Sequence, residues 1–548
     1  MPIWLPIAIC LLTLVIHGPL ILKTEILVRD DRWLTAPLQN VHSLGDWWAL
    51  IRSGNLPDFQ PMRDLSYWLD WQVAGALGSG PYFHLTNILI WWAILFLVWK
   101  IVLGIFSGPE FRGLTVGVAP AAILVLLMAI HPVAVEPVAW VSGRKHLLSL
   151  LFTLIATRLI LLGPVTMPRA ALIVAAFAAG TLCQPINLLW PLWAVVFMIT
   201  NKTSAKAPIH RTTMTFLAAS LIMITLAATA INMTVYQGVT WFDFQLTPHA
   251  GIYGKKLTGF RWDEIDLSML AAGRYFFNLL LPFKIAHRYS PGSWANVAGL
   301  LMIPLACWAG WRLGMGRRTF WLWSLYAALP VVVVTAQLSD IFVADSYAFA
   351  ALPGFLIASG ILIAQKISKK LPVRWFIAAV MGMALAQSIL LSRSWISAES
   401  LWQRSQAVEE TPDSLYFTAG YLLNSGQHDE ALARAQRLLV LSPGSDKTIW
   451  LYAFAVCNHP RMNRGEKLLQ LDQLGAPDVP PVLDCRATLH HQAGEYVDAA
   501  TLLIRLAREQ PGYFRLEMAN GRSRLENACK HVKELKTACA KALEAMPP

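Results

Sequence analysis

A chain of 548 residues with 56% hydrophobic side chains, 23 Trp and 14% charged residues, and a mean hydropathy of +0.48, falls outside the ordinary soluble class and reads as a polytopic membrane protein. Its formal charge of +12 does not point to nucleic acid, because Lys and Arg gather in short clusters between apolar runs, as they do in cytoplasmic loops. Seven cysteines without CxxC spacing imply no metal site.

The first apolar run, 3–22, has neither a basic leader nor a small-residue cleavage site, so it is predicted to remain as the first span. Just beyond it, "VRDDRW" sets Asp30 and Asp31 between Arg29 and Arg32. Such a pair is either a solvated loop with local ion pairs or one base with a shifted pKa. Helical spans are predicted over 4–22, 84–105, 114–130, 146–163, 169–183, 186–200, 212–233, 295–312, 319–335, 346–365 and 374–392, eleven in all. No short alternating strands of a membrane β-barrel accompany them. The fifth and sixth are short and broken by Gln184-Pro185, so they form either a tight hairpin or one kinked span. Two further pieces, "LSYWLDWQVAGAL" and "LSMLAAGRYFFNLLLPF", read as amphipathic helices in long loops, lying at the interface, dipping in, or serving as plain connectors. Counting eleven spans collects Lys100, Arg112, Arg158, Arg211, Arg317, Arg318, Lys369 and Lys370 on one side, which the positive-inside rule makes cytoplasmic.

The connector "HPVAVEPVAWVSGRK", 131–145, carries more polar chemistry than a hairpin turn needs. Ser142-Gly143 and an interfacial Trp140 would suffice, yet His131, Glu136, Arg144 and Lys145 are added. Adjacent guanidinium and ammonium groups at a membrane surface form either a phosphate clamp or a pair of snorkelling anchors.

From about residue 395 the hydropathy drops and a soluble domain, 395–548, is predicted to follow the membrane domain, 1–394. Pro443, Pro477 and Pro511 recur every 34 residues; Ala431, Gly465 and Ala499 recur twelve positions earlier, and Ala419, Ala453 and Ala487 share the same period. This is the tetratricopeptide period, so an α-solenoid of such repeats is expected, with small residues at close helix crossings and a proline ending each second helix. The whole chain is predicted to be all-α.

Together with "RDDRW", "MRDLSYWLDW", "PYFHLTNILIW", "QPINLLWP", "RYFFNLLLP" before Tyr289, "ADSYAF" and the repeats, the connector gives the chain a resemblance over most of its length. It resembles the transmembrane and tetratricopeptide-repeat protein O-mannosyltransferases and their bacterial relatives. The resemblance implies the C-type glycosyltransferase superfold, a polyprenyl-phosphate-linked sugar as donor, and transfer to an exported acceptor protein at the exocytoplasmic face. It implies a multi-pass protein of a bacterial cytoplasmic membrane with its repeats in the periplasm, in contact with membrane lipids and not with nucleic acid. By the same carry-over Asp30 or Asp31 deprotonates the acceptor hydroxyl, and Arg144 and Lys145 hold the donor phosphate. Arg32, Arg63, His84, Asn87, His131, Glu136, Asp345 and Tyr347 are further site candidates. No cofactor is implied, and assistance by a divalent metal is left open. The chain departs from the family pattern at Asp64, Ala134, His146 and Ser346. Two other readings stand beside this one: an inactive membrane scaffold that recruits partners through its repeats, and a transferase acting on a polysaccharide or lipid.

Overall fold

The computed structural model describes residues 4–22, 31–52, 59–74, 80–106, 118–163, 165–188, 190–200, 211–237, 265–312, 343–357, 371–443, 445–476, 478–509 and 521–545. Among the described residues all regular structure is helical and no strand occurs. The predicted span 319–335, the second part of 346–365, Asp30, the basic residues at 317, 318, 369 and 370, and the prolines at 477 and 511 lie outside the described residues.

Helix α1 runs over Trp4–Ile21 and buries Leu5, Ile9, Ile16 and Leu20 while Ile7, Leu11 and Val15 stay exposed. A helix apolar on every face is what lipid around a bundle selects. Two short helices, α2 (Asp31–Thr35) and α3 (Leu44–Arg52), lead to α4 (Pro61–Ala74), the first of the amphipathic pieces. α4 turns Arg63, Asp64, Tyr67 and Asp70 inward, a charged face that hydropathy alone would place in solvent. Then come α5 (Gly80–Phe106), α6 (Val118–Ala129), the five-residue α7 (Val135–Ala139), α8 (Arg144–Leu161), α9 (Met167–Cys183), α10 (Trp190–Thr200) and α11 (Arg211–Gln237). α5 packs on α8, α8 on α9, and α9 on α11. A single 3-10 turn, Pro185–Asn187, separates α9 from α10, so Gln184-Pro185 does break the apolar run into two helices.

Among the described residues four helices are long and apolar enough to cross a membrane, over Trp4–Ile21, Gly80–Gly104, Arg211–Ala228 and Ile377–Ser394; a bent pair, Pro120–Ala129 with Pro132–Ala139, makes a fifth if it counts as one span. The protein is therefore multi-pass. Eleven crossings are not found among the described residues: 146–163, 169–183, 186–200 and 295–312 are shorter or less uniformly apolar helices, and 319–335 and the second part of 346–365 are not described.

The second amphipathic piece forms α12 (Ile265–Leu280), which crosses α13 (Trp294–Arg312) at backbone contact. A Cβ on Gly273 would sit 2.1 Å from the Asn296 carbonyl oxygen, and one on Gly299 would meet the Gly273 carbonyl closer still. Only glycine fits at either position, because no backbone can retreat from such an overlap without separating the helices. Next are α14 (Asp345–Ala348) and α15 (Leu371–Ser394), the latter packed on α1.

The described residues cluster as two compact units, 1–404 and 405–548. α16 (Ala398–Val408) precedes paired helices in the second unit: α17 (Pro412–Asn424), α18 (His428–Leu441), α19 (Asp446–Cys457), α20 (Arg464–Gln473), α21 (Pro480–Gln492), α22 (Tyr496–Glu509), α23 (Gly521–Lys530) and α24 (Lys536–Ala545). α17 packs on α18, α18 on α19, and α21 on α22. Thr411 with Ser414, and Asn463 with Glu466, close capping boxes that define the starts of α17 and α20. Ala419, Ala431, Ala453, Ala487 and Ala499 are all buried, as the repeat period requires. Gly465 departs from that expectation: it is exposed, and a Cβ there would meet only the side chain of its own cap, Asn463. The proline at 443 follows the end of α18 as predicted.

Two disulfides fasten this unit, Cys457–Cys485 between α19 and α21 and Cys529–Cys539 between α23 and α24. The cysteine spacing gave no sign of either. The first closes a loop 28 residues apart, for which chain entropy gives about 3.5 kcal/mol of stabilisation. Reduction of the full-length protein is therefore expected to lower the melting temperature of this unit by about 10 °C. Thermal unfolding with and without reductant, and of Cys457→Ser, is the measurement; identical transitions would mean that the thiols are unpaired.

Candidate functional site

Apolar packing brings the first loop to the connector. Leu34, Leu38 and Val41 form one core cluster with Tyr67, Phe83 and Val141, and burying side chains of this size is worth about 1.5–3 kcal/mol each. The cluster delivers Asp31, at the first position of α2, to the 3-10 turn Val141–Gly143. There Asp31 Oδ1 accepts hydrogen bonds from the Ser142 backbone N–H at 2.9 Å and from the Ser142 hydroxyl. The Tyr67 hydroxyl donates to the Val141 carbonyl at 2.9 Å. Burial pushes the Tyr67 phenol well above its ordinary value, so it stays protonated and keeps donating. Gly143 closes the turn, since a Cβ would lie 2.6 Å from the Pro137 carbonyl oxygen. Arg32 is in α2, and its side chain is outside the described residues.

Arg144 and Lys145 do not stand side by side. Consecutive helical residues point about 100° apart, and the start of α8 sends Arg144 inward and Lys145 toward the surface. Arg144 is fully buried, with Nη1 2.5 Å from Asp70, Nε donating to Asn87 Oδ1 at 2.8 Å and Nη2 donating to the Phe83 carbonyl at 2.8 Å. Its guanidinium also lies over the Tyr67 ring, 4.7 Å from the centroid. Asn87 in turn donates to the carbonyls of Val138 and Trp140, so Arg144 and Asn87 together brace the connector. The half-buried Lys145 holds its ammonium 5.4 Å from the centre of the Trp140 ring.

The other sequence-predicted residues divide between this site and a second cluster. Arg63 is buried and bonded through Nε and Nη2 to its neighbour Asp64 and through Nη1 to Gln60, which reaches Gln184 at 2.6 Å. The departure at Asp64 thus supplies Arg63 with its counter-charge. His84 is buried near the top of α5. His131 caps the turn Pro132–Ala134: Nδ1 accepts from Val133 N–H at 3.2 Å, and Nε2 lies 3.2 Å from the Leu279 carbonyl, which suits a neutral ring protonated on Nε2.

In the second cluster, Glu136 Oε2 accepts from the Ser346 backbone N–H at 3.3 Å and Oε1 lies 3.5 Å from His287 Nδ1. Asp345 accepts from Asn278 at 2.8 Å and from the Tyr289 hydroxyl at 2.6 Å. Burial, then the charge of Glu136, pushes the Asp345 carboxyl up to about 7. Arg274 lies 4.0 Å from the Tyr289 ring centre and bonds Asn278, Ser293 and the Lys284 carbonyl. Tyr347 packs edge-on against His146, with centroids 5.1 Å apart. Trp140, Trp395 and Trp402 surround His287. Among the described residues, His490, Glu495 and Asp498 are the only group whose ligand atoms come within 4.8 Å, but Arg464 already pairs with Glu495.

His287, Arg288, Arg274 and Asn278 were not among the predicted site residues. Arg274 and Asn278 belong to the quoted "RYFFNLLLP", whose resemblance assigned them no role, while His287 and Arg288 sit on a loop outside any motif, where the signal was the density of polar residues in "KIAHRYS".

No protein-family model and no solved structure matches the chain. A stretch of 131 residues is 34% identical to mouse protein O-mannosyl-transferase TMTC4, covering 22% of this chain and 17% of that protein. A stretch of 118 residues is 34% identical to the human protein of the same name, covering 20% of this chain and 16% of that one. The chain thus matches about one sixth of the length of these curated relatives, and that part is similar to a protein O-mannosyl-transferase.

Proposed function

We propose that the chain is a membrane glycosyltransferase that moves mannose or another hexose from a polyprenyl-phosphate donor to a hydroxyl of an exported protein, with inversion, at the exocytoplasmic face. The observation that carries this reading is the Asp31–Ser142 junction. It joins the proposed base to the turn that leads into Arg144 and Lys145 across 111 residues of sequence. In the proposed reaction the acceptor oxygen attacks the anomeric carbon while its proton passes to Asp31. The bond from that carbon to the phosphate oxygen breaks, and the electron pair leaves with the phosphate. A hydroxyl is a weak nucleophile and a departing phosphate needs its charge balanced, so both groups have work to do. Lys145 supplies the charge, and Arg144 acts through the turn it braces. A divalent cation has no assigned ligands in this scheme.

The 34-residue period and the consecutive helix pairs support a tetratricopeptide solenoid in 405–548, a shape that suits an extended peptide acceptor. The two disulfides support an oxidising compartment for it, in keeping with the basic connectors lying on the opposite side. A bacterial inner membrane with periplasmic repeats fits both. One observation favours the scaffold reading instead: every nitrogen of Arg144 is already engaged by protein. Intact-mass analysis of exported proteins from cells with and without the gene decides. Loss of a hexose-sized increment from at least one protein is expected. Unchanged protein masses with an altered glycan or lipid would move the acceptor, and no change in any class would leave the scaffold.

A further inference from the structure

Four buried polar groups around the connector have no hydrogen-bond partner among the described residues: Trp140 Nε1, His146 Nδ1, Ser346 Oγ, and Glu136 Oε1, which lies 3.5 Å from His287 Nδ1. Glu136, His146 and Ser346 are each at least 97% buried. A chain ordinarily leaves few such groups, and each costs about 1–3 kcal/mol if it stays dry. Here they are neighbours. Glu136 holds the Ser346 N–H, His146 packs on Tyr347 beside Ser346, and Trp140 and Glu136 both touch His287.

The chemistry of the four narrows the occupant. A carboxyl oxygen, an indole donor, an imidazole nitrogen and a hydroxyl need a ligand that both donates and accepts. A metal ion has no use for the indole N–H, and a phosphate finds no cation among the four. An apolar tail would leave all four unsatisfied. Vicinal hydroxyls on a ring satisfy them, and an indole beside them matches the apolar face of such a ring. Lys145, above the same indole, puts a cation next to the group, where a ring bearing a phosphate would carry its charge.

We propose that Glu136, Trp140, His146 and Ser346 bind the sugar ring of the lipid-linked donor, an assignment that rests on the glycosyltransferase reading above. Asp345, Asn278 and Tyr289 act behind them as positioning residues that fix the short helix carrying Ser346.

The test is equilibrium binding of two lipids to the purified full-length protein in detergent: a polyprenyl-phosphate hexose and the same polyprenyl phosphate without sugar. Wild type is expected to prefer the sugar-bearing lipid. Glu136→Gln should reduce that preference about ten- to a hundredfold and Ser346→Ala about three- to tenfold, both with unchanged affinity for the sugar-free lipid. Ser346→Ala guards against misfolding: it removes an unpaired buried hydroxyl, so its melting temperature should hold or rise while sugar preference falls. A serine with no part in binding predicts the first effect without the second. If Ser346→Ala keeps the wild-type preference, or weakens both lipids equally, the sugar assignment is overturned and the transferase reading stands. If wild type binds neither lipid, the transferase reading falls and takes the assignment with it.

Discussion

Asp31→Asn is expected to give a folded protein whose sugar transfer is at least a hundredfold slower, the usual scale for losing a general base. The carboxylate is buried against Ser142 and accepts from both its N–H and its hydroxyl. An amide oxygen accepts the same bonds, so the turn at 141–143 survives the substitution while the proton acceptor is lost. The melting temperature should move little, and kcat should fall far more than KM changes. Transfer of hexose from a polyprenyl-phosphate donor to an acceptor peptide, beside thermal unfolding of the same preparations, measures both. Wild-type rates in Asp31→Asn would remove this residue from the reaction and shift attention to Asp30.

Arg144 and Lys145 are expected to fail in opposite ways. Arg144→Ala strands Asp70 and unpairs Asn87 Oδ1 and the Phe83 carbonyl inside the protein, a loss of about 3–5 kcal/mol. Arg144→Lys keeps the charge but cannot span three acceptors with one ammonium, and should still cost about 2 kcal/mol. Lys145→Ala touches no such network and should leave stability alone while weakening binding of sugar-free polyprenyl phosphate about ten- to a hundredfold. Unfolding and lipid titration on the three variants separate stability from affinity. A stable Arg144→Lys that has lost lipid affinity would show the guanidinium turning outward to the donor.

The contrast between these residues marks what the sequence could convey. Hydropathy located α1, α5, α11 and α15, and the 34-residue period located the burial of Ala431 and Ala499, because both signals are local and repeat along one element. The polar excess of 131–145 was equally visible. What the excess was for was not, since an arginine beside a lysine looks the same whether it snorkels, binds a ligand or fastens two helices. The partners of Arg144 come from α4 and α5, more than 55 residues away, and no periodicity announces them. Asp64 looked like a departure, and the structure gives it a function as the counter-charge of Arg63. Glu136, Asp345 and Tyr347 of the second cluster were legible, but two of their neighbours were not, for a related reason: His287 and Arg288 lie in an irregular stretch, and their meeting with Glu136 depends on how α12 and α13 cross. Gly465 shows the reverse error, where a period held in sequence but the small residue met solvent.

The crossing of α12 and α13 through Gly273 and Gly299 also bears on how this protein can diverge. The stretch 281–293, with His287, Arg288 and Tyr289, is strung between two helices locked together at their backbones, so both its ends are fixed whatever its side chains are. Substitutions at 287 and 288 alter the groups offered to Glu136 without moving the frame, whereas Tyr289 is tied to Asp345. The surroundings of Glu136 are therefore free to drift at 287 and 288 in single steps. The two glycines are frozen, because a first methyl at either parts the helices before any second change can compensate.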